Sequence, residues 1–263
     1  MCVIVCKPEG VEVPSMETLA DCWAANPDGA GFMFPEGGKV SIRKGFMRWT
    51  EFATALSEAT EGGDLTDAPV AFHFRIATHG KVKPGCCHPF PVKADYSAMR
   101  KTETRADVGF MHNGVLRGLA TSDSVSDSMA FAKNVLQPLK SLCGGFVCDK
   151  DVAGIVGSVA QGSRFLLMDG AGNVATVGDW AEREGLLFSN LNFLSRFAAG
   201  RGRDDGESGG VGGYFDAPVS DMARLGLFEP CGECPYAEWC LDDAPLCRSA
   251  FEAEAVSAGL FES

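Results

Sequence analysis

Along most of the chain, apolar residues recur in short runs separated by Gly, Pro, Asn and Asp. Residues 3–6 are continuously apolar and predict a buried strand at the very start. Met16–Ala25 has helical spacing and runs into Asn26-Pro27-Asp28-Gly29, a strong stop signal. Residues 31–34 and 39–44 predict two strands joined by a turn over 35–38. Residues 50–59 predict a helix capped by Thr50, and 69–76 a strand rich in Val and Phe. Residues 108–111 and 115–119 flank His112-Asn113-Gly114, the signature of a tight hairpin. A helix follows over 127–139, with Ser126 or Asp127 at its cap. Strands over 165–169, 174–179 and 186–189 close the pattern, the first two joined by a Gly-rich turn. Strands outnumber helices, and the helices fall into two groups. This is the α+β pattern of mostly antiparallel sheets covered by helices.

The pattern stops at residues 200–213, GRGRDDGESGGVGG, where nothing apolar recurs. Such a composition predicts a linker or loop. The expected organisation is a domain over 2–199, a Gly-rich linker over 200–218 and a cysteine-rich tail over 219–263.

Composition narrows the function classes. At 46% hydrophobic and 22% charged residues, the 263-residue chain can bury a sizeable core. No run approaches the roughly 20 apolar residues of a membrane helix, and the N-terminus lacks a secretory pattern. A cytoplasmic location without membrane contact is expected. The formal charge of −12 argues against direct nucleic-acid binding by the surface as a whole. Eleven cysteines without a secretory signal point to thiol chemistry rather than a disulfide framework.

Cys2 stands behind the initiator Met1 and is small enough to permit its removal. A free N-terminal Cys carries its own base. Its amine titrates near about 7.7–8.0 and its thiol near about 8.5, so the amine can take the thiol proton. In isolation the bland reading of Cys2 is an inert residue entering a strand. Other residues invite chemistry as well. Asn113-Gly114 suits an oxyanion hole, and equally an ordinary turn. Arg75 at a strand end can grip a carboxylate in bidentate fashion, or simply pair on the surface. Asp127 can hold an ammonium or cap a helix; Asp123, in a second Ser-Asp-Ser triplet, is its rival. The four histidines (His73, His79, His88, His112) lie close in sequence but show no zinc-hydrolase spacing.

Taken in order, Met1-Cys2-Val3-Ile4-Val5, Asn26-Pro27-Asp28-Gly29, Arg75-Ile76-Ala77-Thr78-His79-Gly80, His88-Pro89, His112-Asn113-Gly114 and Ser126-Asp127-Ser128 resemble the class II glutamine amidotransferases of the N-terminal-nucleophile hydrolase superfamily. The resemblance covers roughly residues 2–195. It implies a four-layer αββα sandwich, with Cys2 as nucleophile and Asn113 and Gly114 as the oxyanion hole. It also implies L-glutamine held by Arg75, Thr78, His79, His88 and Asp127, with no cofactor for that chemistry. Val3 stands where the family usually has Gly, and Ile76 where it often has Trp.

The tail carries Cys231-x2-Cys234-x5-Cys240-x6-Cys247. Four thiolates this close suit one tetrahedral zinc or an iron–sulfur cluster, which would supply the tail's folding energy. The segment 231–240 resembles the cluster-binding stretch of WhiB-type proteins, which tips the expectation towards iron–sulfur. The chain has no phosphate loop, so ammonia from glutamine implies a separate synthetase partner. Two other readings stay open: an N-terminal-nucleophile amidohydrolase acting on another amide, and a non-catalytic metal-bearing interaction module.

Overall fold

The computed structural model describes residues 2–61, 65–77, 82–119, 121–122, 124–159 and 162–194. The strands are β1 (Val3–Lys7), β2 (Ala30–Glu36), β3 (Lys39–Phe46), β4 (Val70–Phe74), β5 (Phe90–Pro91), β6 (Glu103–Ala106), β7 (Val108–Asn113), β8 (Arg164–Asp169), β9 (Val174–Val177), β10 (Ala181–Arg183) and β11 (Leu186–Phe188). The helices are α1 (Met16–Ala25), α2 (Trp49–Glu61), α3 (Tyr96–Met99), α4 (Asp127–Phe131), α5 (Gln137–Leu142) and α6 (Lys150–Val159). A π-helical turn, Ala132–Leu136, joins α4 to α5. The strands form a seven-stranded sheet, β10-β11-β1-β4-β2-β3-β6, and a four-stranded sheet, β5-β7-β8-β9. Every pairing is antiparallel. The chain is therefore a mixed α+β fold.

Three apolar clusters show how the layers meet. The first unites α1 and α2 with Val3, Val5, Phe32, Phe72 and Phe74. Phe52 is at its centre, in ring contact with Phe32, Phe46, Trp49, Phe72 and Phe74. Each such buried ring contributes about 1.5–3 kcal/mol from burial. The second packs α4–α6 on Val108, Phe110, Phe165 and Leu167. The third lies between the sheets: Ile4, Cys6, Met33, Ile42 and Ala71 from one meet Met111, Leu166 and Met168 from the other. Because side chains alternate along a strand, β1 is buried on both faces. That explains the continuous apolar run at the start of the chain.

The structure departs from the pattern at several places. Residues 115–119 form no strand and Asn113-Gly114 is no hairpin turn. β7 already pairs with β5 and β8, Val115 is 67% exposed, and the Leu116 N–H is given to Asp127 Oδ2. Helix α2 begins at Trp49, so Thr50 lies inside it. The Ser126 hydroxyl caps α4 by accepting from the Met129 N–H. α6 was not predicted, since Gly154 and Gly157 weaken its helical signal. Asp149 holds its start through the N–H groups of Asp151 and Val152, and Val152 and Val156 bury one face. The linker over 200–218 and the tail over 219–263 lie outside the described residues. Among the described residues, no helix is long and apolar enough to cross a membrane.

Candidate active site

Strand alternation decides what lines the mouth between the sheets. In β1, Val3 and Val5 face the helices while Ile4 and Cys6 face the other sheet. Cys2 continues the second set. In β4, Phe72 and Phe74 face the helices and Ala71 faces inward, so His73 and then Arg75 point inward too. In β7, Met111 faces the other sheet, and Asn113 follows it. Cys2 and Arg75 thus converge with Asn113 at one end of the sandwich.

The Cys2 sulfur rests on the backbone of Ile76. The Ile76 N–H donates to Sγ at 3.4 Å, and the thiol donates to the Ile76 carbonyl at 3.6 Å. Burial pushes the thiol above its ordinary value, opposed by the Ile76 N–H and the Arg75 guanidinium. The Cys2 carbonyl is held as well: the Asn113 amide donates to it at 2.6 Å and the Asn190 amide at 2.8 Å. The second Asn113 proton goes to Ser189 Oγ at 2.9 Å. Gly114, exposed beside it, has φ +151°, and an added side chain would collide with Ser163.

Arg75 carries the most telling detail. Its Nη1 is buried and has no hydrogen-bond partner among the described residues. An unmet buried donor costs about 1–3 kcal/mol, more for a charged group. The segment that bears it is fixed from below: Asp28 Oδ2 accepts from the Ala77 N–H at 2.7 Å, and the Asp28 N–H donates to the Arg75 carbonyl at 2.9 Å.

Two residues of β2 and its approach let the 84–91 segment cross this mouth. The Cβ that Gly29 lacks would stand 2.6 Å from Cys87 Sγ, and that of Gly31 would collide with the His88 carbonyl. Cys87 is buried, and burial pushes its thiol up to about 11. Cys2 and Gly29 flank the β4 line on opposite sides. Two strand spacings, roughly 9–10 Å, separate their backbones. His88 is buried, with its ring stacked on His73 at 4.5 Å and edge-on to Phe90 at 4.6 Å. Burial holds His73 down at about 3 and His112 at about 4, and pushes His88 well below its usual value. All three are neutral imidazoles near pH 7.

Asp127 begins α4. Its Oδ2 accepts from the Leu116 N–H at 2.9 Å and its Oδ1 from the Ser128 N–H at 2.7 Å. His112 Nδ1 meets Ser128 Oγ at 3.0 Å. Asp127 therefore ties the loop after Asn113-Gly114 to the helix start. Thr78, His79, the rival Asp123 and the four cysteines of the tail (Cys231, Cys234, Cys240, Cys247) lie outside the described residues. Among the described residues, no group of three or more His, Cys, Asp or Glu side chains is placed to hold a metal ion.

Sequence reasoning did not single out Asn190, Ser189 or Cys87 as parts of this site. Asp28 was visible as a turn residue in Asn-Pro-Asp-Gly. Ser189 and Asn190 follow an ordinary short strand, β11, and carry no motif.

The fold and site together define a mixed α+β chain whose N-terminal strand delivers a cysteine to the mouth between two antiparallel sheets. No family model matches the chain, and no curated protein matches it. Among solved structures it is similar to the glutamine phosphoribosylpyrophosphate amidotransferase from B. subtilis complexed with ADP and GMP, with 16% identity and a TM-score of 0.37. The match covers 72% of this chain and 41% of that one, so the chain spans less than half that structure's length.

Proposed function

We propose that the chain is a glutaminase of the class II glutamine amidotransferase type, with Cys2 as nucleophile after loss of Met1. The observation that carries the reading is the buried Arg75 Nη1, without a partner among the described residues, in the same mouth as the Cys2 sulfur. A guanidinium with a spare buried donor beside a thiol fits a substrate carrying both a carboxylate and an electrophilic carbon. The order of helices, sheet, sheet, helices supports the αββα sandwich of N-terminal-nucleophile hydrolases.

The chemistry follows from the groups present. The Cys2 α-amine takes the thiol proton, and the sulfur attacks the side-chain amide carbon of glutamine. The oxygen becomes an oxyanion, held by the Asn113 amide and the Gly114 N–H. The amine returns its proton to the nitrogen, the C–N bond breaks and ammonia leaves. Water then hydrolyses the γ-glutamyl thioester and restores the thiol. Arg75 takes the α-carboxylate and Asp127 the α-ammonium. The resemblance assigns Thr78 and His79 to substrate binding as well, and His88 stands in the imidazole stack with His73. Ammonia passes to a separate synthetase subunit. The C-terminal cysteines carry an iron–sulfur cluster or zinc, which metal analysis and visible absorption of the purified chain would reveal.

Treatment with a glutamine-analogue electrophile tests the reading, on protein whose intact mass shows Met1 removed. A single adduct on Cys2, blocked by excess glutamine, is the expected result. No adduct on correctly processed protein would remove the glutaminase assignment.

One observation favours a second reading, an amidohydrolase for a substrate without an α-amino group. Both Asp127 oxygens are already engaged, by Leu116 and Ser128. Asp127→Asn separates the two: it should cripple glutamine turnover and spare hydrolysis of an amide lacking the ammonium.

A further inference from the structure

The Cys2 carbonyl accepts from two amides that reach it from different elements, Asn113 at the end of β7 and Asn190 just after β11. A carbonyl oxygen has two lone pairs, so both bonds coexist. They are not equivalent. Both protons of the Asn113 amide are spent, one on Cys2 and one on Ser189 Oγ. Asn113 can serve an oxyanion only by giving one of them up. Ser189 Oγ also accepts from the Ile4 N–H at 2.8 Å, which ties that hydroxyl to β1.

Asn190 is held independently of Asn113. Its Oδ1 accepts from the Asn192 N–H at 3.1 Å, which fixes the NH2 end towards Cys2. Phe193, in the same turn, is buried with its ring 5.5 Å from that of Phe188 in β11. The anchor is therefore seated in the helix-side core, outside the mouth where the reaction would occur.

We propose that Asn190 is a positioning residue that keeps the Cys2 carbonyl anchored while Asn113 turns its amide to the reacting oxygen. The proposal rests on Cys2 being the nucleophile of the preceding reading. Its physical content is an exchange. Asn113 leaves a neutral carbonyl for an oxygen acquiring negative charge, and a bond to an ionised acceptor is roughly twice as strong. The exchange is unfavourable with neutral substrate and favourable once charge develops, so it stabilises the transition state selectively. Without Asn190 the same exchange would leave the Cys2 carbonyl with neither amide when the sulfur must hold position, and only the Val3–Phe74 pairing behind it. Misplacement by about 1 Å can cost about 100-fold in rate.

The test uses the full chain with Met1 removal verified by intact mass. Asn190→Asp keeps the acceptor for Asn192 and removes the donor; Asn190→Leu keeps approximate shape and removes both. Each should lower kcat for glutamine by about 10–100-fold, with KM within about threefold. Iodoacetamide should alkylate Cys2 faster in both, because the loosened peptide uncovers the sulfur from Ile76. Slower turnover with faster alkylation, at a melting temperature near the parent's for Asn190→Asp, is the expected signature. Unchanged kcat, or a kcat loss with unchanged alkylation, overturns the proposal. A processed parent that never turns over glutamine sinks the glutaminase reading instead. The alkylation arm then decides Asn190 alone: faster labelling supports the anchor and an unchanged rate removes it.

Discussion

Ile76 holds the Cys2 sulfur with both of its backbone groups, the N–H at 3.4 Å and the carbonyl at 3.6 Å. The arrangement fixes the direction of the sulfur, yet burial still raises the thiol above its ordinary value. Backbone contact alone does not produce a thiolate at neutral pH, so the proposed chemistry needs a nearby base.

The base in the proposed chemistry is the freed α-amine, and the state of Met1 should decide reactivity. Chain that retains Met1 should alkylate at Cys2 at least about tenfold more slowly at pH 7.5 than processed chain. Mass-resolved labelling kinetics on the two forms measure this. Equal rates would take the amine out of the mechanism.

Arg75 should govern substrate affinity without governing stability. Arg75→Lys and Arg75→Gln should raise KM for glutamine by about 100-fold, the loss of about 3 kcal/mol of paired, charge-assisted bonding. Melting should change little, because Nη1 has no partner among the described residues. Steady-state kinetics and thermal melts on the same preparations check both halves.

Gly31 should resist the smallest enlargement. A Cβ there would collide with the His88 carbonyl and stand 2.6 Å from Lys44 Cβ. Gly31→Ala should cost about 1–3 kcal/mol in denaturant unfolding, with loss of Cys2 labelling as the 84–91 segment shifts. Gly144→Ala, which meets nothing within 4 Å, is the matched control.

Acid should unfold the protein through its buried imidazoles. His73 titrates at about 3 and His112 at about 4 in the folded chain, against 6.5 when unfolded. Below pH 6.5 the unfolded chain binds protons that the folded chain refuses. Stability should therefore fall by up to about 1.4 kcal/mol per pH unit for each histidine, continuing to about pH 4. Denaturant titrations from pH 7 to 4 measure the slope. His73→Phe should make it shallower.

Lys44 should shape the alkaline side. Its ammonium donates to the Met99 carbonyl at 2.7 Å and lies 3.7 Å from the Phe90 ring centroid, yet burial lowers it to about 7 from 10.5. Between those values the unfolded chain holds the extra proton, so stability should rise from pH 7 to 9. Above pH 9 the thiols take over. Cys6, raised to about 12, and Cys87, raised to about 11, stay protonated in the folded chain, and their stabilisation is lost as pH climbs. A stability maximum near pH 9 should follow, and Lys44→Met should flatten the rise towards it.

Much of this fold is written in local pattern. The apolar run at residues 3–6 marked β1 because a strand buried on both faces must be apolar at every position. The spacing of Leu19, Cys22 and Trp23 marked α1, and Asn-Pro-Asp-Gly its end. Cys2, Arg75, Asn113 and Asp127 were legible as candidates because their chemistry is distinctive and their motifs are short. The strand expected over 115–119 failed for a reason no local pattern holds: β7 finds both partners elsewhere in the chain.

By itself, then, the sequence determined the α+β class, the positions of most strands and the residues able to do chemistry. Tertiary structure decided what those residues touch. Asn113 bonds to Cys2 across the gap between two sheets, Cys87 stands where Gly29 has no side chain, and Asn190 reaches Cys2 from a turn with no motif. Periodicity records which face of an element is buried, because burial repeats along the element. A single hydrogen bond between chain segments far apart in sequence does not repeat, and so leaves no trace until the chain is folded.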